Sequence, residues 1–172
     1  MTSFCKKSTM ARRFLAIALL SLSVLTGFRT GHAVSPGEKP LRGTYEGNVT
    51  VPAGTTTMFI TFTVWGNATH LGRFQMDAAG DLNLLTLALT NGTTTFTAAN
   101  GDELYTSYSS SGTPNGDGTY TVRAEHDITG GTGRFEGADG TFSTTSQARI
   151  MATLETVTIT GKVYMHGTIS FP

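Results

Sequence analysis

Cysteine is all but missing from this sequence. Of 172 residues only Cys5 carries a thiol. Beyond it there is no disulfide framework, no thiolate nucleophile and no cysteine metal site. Charge is sparse: 14% of residues are charged, twelve of each sign. His70, His126 and His166 fall in three separate stretches. They match neither His-x-His nor His-Glu-x-x-His, so no metal is expected. A Gly-x-Ser-x-Gly elbow is absent, which disfavours a serine hydrolase. No segment sustains a 3.6-residue apolar period, which excludes long helices.

What is present begins with a leader. Lys6, Lys7, Arg12 and Arg13 form a basic region, Phe14 to Leu25 an apolar run, and Gly31-His32-Ala33 a small-x-small end. The apolar run is shorter than the roughly 20 residues a bilayer needs. The pattern predicts a signal peptide over 1–33, cleaved after Ala33, and a secreted or periplasmic location. Cys5 precedes the apolar run, so it is no lipobox cysteine. The leader holds five basic and no acidic residues, so the remainder has seven basic against twelve acidic, a net charge of −5. That balance opposes binding to nucleic acid or to an anionic membrane surface after cleavage. Export without disulfides suits a bacterial protein.

Residues 34–40, with Pro36, Gly37 and Pro40, read as a flexible lead. Residues 41–172 read as one domain. Its Thr-, Val-, Ile-, Phe- and Tyr-rich runs predict strands near 43–51, 56–65, 68–76, 82–90, 93–99, 102–109, 118–128, 141–150 and 154–170. Turn signals between them include Gly66-Asn67, Ala79-Gly80-Asp81, Asn91-Gly92 and Asn100-Gly101-Asp102. Alternation supports strands. Met58, Ile60, Phe62 and Val64 share one face, as do Val157, Ile159, Val163, Met165 and Ile169. With no helical layer to cover a sheet, about eight antiparallel strands close most simply into a barrel, with a sandwich as the alternative.

Two stretches invite a functional reading. On Thr119–Ile128, Tyr120, Val122, Ala124, His126 and Ile128 share one face, and Arg123, Glu125 and Asp127 the other. The charged face is either a solvated outer surface or a stripe within a pocket, where Arg123 and Glu125 would contact a ligand. The second stretch is the glycine cluster Gly130, Gly131, Gly133, Gly137 and Gly140 around Phe135. Its spacing is not that of a dinucleotide loop, and no helix follows. It reads as a compact turn that plugs a barrel end with Phe135 and leaves Arg134 in solvent.

Thr129 to Gly140, TGGTGRFEGADG, resembles a motif of allene oxide cyclases and is similar to the Gly-Gly-Thr-Gly-Lys-Phe motif of dirigent proteins. Tyr45-Glu46-Gly47-Asn48 resembles the cyclases' Tyr-Glu-x-Asn. The resemblance implies an eight-stranded antiparallel barrel of calycin-like type, usually trimeric, with a pocket for an oxygenated fatty acid or a phenolic radical. By position it gives Glu46 and Asn48 pocket roles. Glu46 would stabilise positive charge on an opening epoxide, and Asn48 would hold a water. The cyclases' pocket cysteine and the dirigent arginine are absent. Three functions follow as expectations: binding of a small hydrophobic molecule in the lumen, a cofactor-free cyclase or isomerase using Glu46, or a filled structural barrel. Homotrimerisation is expected because large apolar residues exceed what one small lumen can hold.

Overall fold

The computed structural model describes residues 37–172. The leader, its cleavage point and the first residues of the lead lie outside the described residues. Eight strands follow in chain order: β1 (Glu38–Pro52), β2 (Thr57–Ala68), β3 (Gly72–Asn83), β4 (Ala88–Ala98), β5 (Glu103–Pro114), β6 (Thr119–Gly131), β7 (Gly140–Ala152) and β8 (Thr156–Ser170). Each pairs antiparallel with its chain neighbour, and β1 pairs with β8, so the sheet closes into an up-and-down barrel. The sandwich alternative is thereby set aside. One 3-10 turn, Gly133–Phe135, joins β6 to β7.

The nine expected runs resolve into eight strands because two glycine signals are not turns. Ala79-Gly80-Asp81 lies inside β3 and Asn91-Gly92 inside β4, each at a register irregularity. Both glycines admit close neighbours. A Cβ on Gly92 would stand 2.6 Å from the Tyr108 ring, and one on Gly80 2.5 Å from Leu89. The β3–β4 turn is instead built at 84–87, where Asn83 Oδ1 accepts from the amides of Leu85 and Thr86 at 3.0 and 3.2 Å. Gly66-Asn67 likewise belongs to β2, and the chain reverses after it, with His70 at φ 66°. Glu38 to Pro40, expected in a flexible lead, are rungs of the β1–β8 ladder.

Alternation sets the two faces. Ile60 and Val64 are buried on β2 while Phe59 and Trp65 are exposed, so side chains of even number point inward there. The interior holds two apolar clusters. One, around Leu41, Phe74, Phe96, Leu104, Phe135, Phe142 and Ile169, fills the end near the 3-10 turn. The other gathers Val51, Ile60, Leu82 and Leu89 toward the opposite end.

Phe135 is fully buried (0% exposed), and Arg134 is exposed. The plug expected of the glycine stretch is therefore present. Gly133 sits at φ 55°, a left-handed conformation that favours glycine, and a Cβ on Gly131 would stand 2.6 Å from that of Phe135. Gly130 and Gly131 end β6, Gly137 lies in the turn, and Gly140 opens β7. Arg134 pairs with Asp102 at 3.7 Å and lies over the Phe135 ring at 4.9 Å.

The ladder is uneven. β1 and β8 pair along the whole of β1, from Glu38↔Ser170 to Pro52↔Thr156. β1 and β2 share only Gly43↔Ala68, Thr44↔Asn67 and Tyr45↔Gly66. Beyond Tyr45 no backbone rung joins them. Val51 and Ile60, with Val49, Met58 and Phe62 beside them, close this seam by side-chain packing.

Candidate ligand-binding lumen

Between the two clusters the lumen holds a partly open cavity of about 150 Å³. Its wall draws on every strand. Tyr45, Gly47 and Val49 come from β1, and Val122, Ala124 and His126 from β6. Small residues leave the space. Gly47 faces inward with open room, since a Cβ there would meet only the Gly161 carbonyl at 3.7 Å.

The polar part of the wall is built on stacked rings. The imidazole of His126 is 2% exposed and lies parallel, within 10°, to Tyr108 on one side and Phe142 on the other. Phe142 continues edge-on to Phe96, Phe74 and Tyr45. His126 Nδ1 meets Thr106 Oγ1 at 3.3 Å, and Thr106 is hydrogen-bonded in turn to Thr94 Oγ1. Two polar side-chain atoms among the described residues, His126 Nε2 and Tyr108 Oη, are buried without a partner.

Burial governs the charge state. It pushes the His126 pKa down to about 3, so the ring is neutral through the physiological range. It pushes the Tyr45 hydroxyl up to about 12, against a smaller opposing effect from its hydrogen bond with Thr144. Tyr108 is raised too, by burial first and by the nearby Tyr45 second. Among the described residues no Asp, Glu, Lys or Arg lines the cavity.

The residues expected in the pocket are elsewhere. Glu46 and Asn48 lie on the outer face of β1, while Tyr45, Gly47 and Val49 point inward. The cause is the period of two: Leu41 and Val51 are buried, which fixes every odd-numbered residue between them to the inner face. The pocket roles implied for Glu46 and Asn48 are corrected accordingly. Arg123 and Glu125 are exposed, with Asp127, so the charged stripe of β6 is outer surface and not pocket wall. Its other face, with Val122, Ala124 and His126, forms the lumen. The three histidines do not converge. His70 packs edge-on against Phe171, and His166 is exposed on β8. Sequence reasoning missed Tyr45 and Tyr108 as wall residues. The signal for Tyr45 was its shared parity with Leu41, Val49 and Val51.

No protein-family model matches the chain, and comparison with curated proteins gives no match. The class is defined by the architecture itself: an all-β, antiparallel, closed eight-stranded barrel with an uncharged lumen.

Proposed function

We propose that the protein binds a small, mostly apolar molecule in the barrel lumen and releases it unchanged. The observation that carries this reading is the cavity of about 150 Å³ with no charged residue among the described residues of its wall. General acid–base catalysis favours groups whose pKa lies near the working pH. His126, held near 3, does not take up a proton there, and Tyr45, held near 12, does not lose one. The wall is suited to contact and not to proton transfer.

Thermal denaturation against a panel of neutral small molecules tests the reading. A ligand at a hundred times its Kd should stabilise the fold by about 2.7 kcal/mol. Gly47→Leu should project into the cavity and abolish the shift while the barrel stays folded. A panel without any stabilising compound, or undiminished binding by Gly47→Leu, would overturn it.

The resemblance supports a finer placement, and we propose that the barrel is of the allene oxide cyclase or dirigent type. The support is the Thr129–Gly140 stretch, the barrel topology and the buried Phe135. The outward Glu46 and Asn48 favour binding over cyclase chemistry within that placement. We further propose export by the leader and assembly as a trimer. Phe59 and Trp65, 67% and 66% exposed on β2, supply apolar outer surface for contacts between copies. Light scattering that finds only monomer at micromolar concentration removes the trimer.

A further inference from the structure

Some hydroxyls of the lumen wall are engaged. Thr94 and Thr106 are bonded to each other, and Thr106 also reaches His126. Thr144 faces the Tyr45 hydroxyl. Ser110 Oγ accepts from the Leu89 amide at 3.2 Å, which leaves its O–H free to donate. Tyr108 Oη and His126 Nε2 lack partners among the described residues, but surrounding atoms seal them from solvent. Ser146 has neither its donor nor its acceptor role filled. It lines the cavity, its hydroxyl has no hydrogen bond among the described residues, and it is not among the sealed atoms. On β7 it stands between Val122 of β6 and Val163 of β8, both also in the wall. It is an open hydroxyl in an apolar surround.

We propose that Ser146 is the polar anchor of the lumen and that the ligand is an uncharged compound of about one ring, bearing a hydroxyl or carbonyl oxygen that bonds to it. The proposal rests on the lumen being a binding site. Size follows from volume: an apolar cavity of about 150 Å³ holds a molecule of benzene's size. Neutrality follows from the wall. An ion entering it finds no counter-charge, and an unpaired buried ion carries a large desolvation penalty. A serine hydroxyl both donates and accepts, so an alcohol and a carbonyl are each served.

The test uses four probes of one shape: toluene, benzyl alcohol, benzoate and benzylamine at neutral pH. Binding to the wild-type chain is measured by calorimetry or ligand-observed NMR. Benzyl alcohol should bind roughly two- to tenfold more tightly than toluene, the yield of one neutral hydrogen bond. Benzoate and benzylammonium should not bind. Ser146→Ala should remove the preference while leaving toluene affinity unchanged, and Ser146→Thr, which keeps a hydroxyl, should retain it. Equal affinities for toluene and benzyl alcohol in the wild type overturn the anchor and leave lumen binding standing. A preference that survives in Ser146→Ala does the same. Binding of either ion as tight as that of benzyl alcohol overturns the neutral class. Failure of all four probes to bind overturns the lumen reading, and this inference with it.

Discussion

The imidazole of His126 and the ring of Phe142 lie face to face, 4.4 Å between centroids and 10° from parallel. The histidine serves as an aromatic spacer. With Tyr108 on its other face at 4.8 Å, it forms the middle of a three-ring stack inside the barrel. A proton on it would bring an unpaired charge into that stack.

His126 therefore makes the fold acid-sensitive. Above pH 6.5 the ring is neutral in folded and unfolded chains alike and contributes no pH dependence. Below 6.5 the unfolded chain takes up a proton that the folded one refuses until about pH 3. Stability should fall across that window by about 1.4 kcal/mol per pH unit from this residue. His126→Phe keeps a ring in the stack and removes both the titration and the unpartnered Nε2. Urea melts at pH 7.5 and 4.5 should show a smaller acid loss for the variant. Identical losses would mean that His126 is solvated in the folded state.

Phe135 should dominate the energetics of the glycine turn. Phe135→Ala removes a fully buried ring and should cost about 3–5 kcal/mol. Arg134→Ala loses a half-exposed pairing with Asp102 and a long hydrogen bond to the Leu71 carbonyl, and should cost about 1 kcal/mol. Equal, small effects in denaturant melts would show the turn to be a loose surface connection.

Gly92 should be irreplaceable for steric reasons. A Cβ there meets the Tyr108 ring and carbonyl at 2.6 Å. Gly92→Ala should destabilise by about 1–3 kcal/mol and displace Tyr108. The near-ultraviolet circular dichroism and the ligand response should change together. An unaltered melt would place the ring farther from the strand.

Two adjacent residues should respond oppositely to substitution. Glu46→Gln, on the outer face, should leave ligand affinity unchanged within twofold. Gly47→Leu, on the inner face, should abolish binding. Loss of binding in Glu46→Gln, in a variant whose melting temperature is unchanged, would return Glu46 to the site.

Much of the fold was legible because strands advertise themselves by a period of two. The faces of β2 and β8 followed from alternation alone, and the buried Phe135 from its isolation among glycines. What escaped had physical causes. Gly80 and Gly92 carry the residue type of a turn, but they serve close packing within strands, and composition does not separate the two uses. On β1 the residues with recognisable chemistry, Glu46 and Asn48, pointed to the wrong face. The buried ends Leu41 and Val51 decide which face is inner, and only assembly into a barrel reveals their burial. Ser146 carried no signal of its own. One serine in a strand rich in Ser and Thr becomes distinctive only when its neighbours' hydroxyls are seen to be engaged.

The β1–β8 ladder has a consequence for how the chain reaches this state. Its fifteen rungs join the first strand to the last, from Glu38↔Ser170 to Pro52↔Thr156. Such contacts span nearly the whole described sequence, and folding slows as native contacts become more distant along the chain. The same strand gains only three rungs from β2, its neighbour in sequence. During synthesis β1 therefore has almost no backbone partner until Thr156 onward has emerged. A chain that stops before β8 leaves two unsatisfied edges, on β1 and on β7, each a template for pairing with another molecule. Barrel closure therefore waits for β8, and truncation at the carboxy terminus should yield aggregate in place of a smaller barrel.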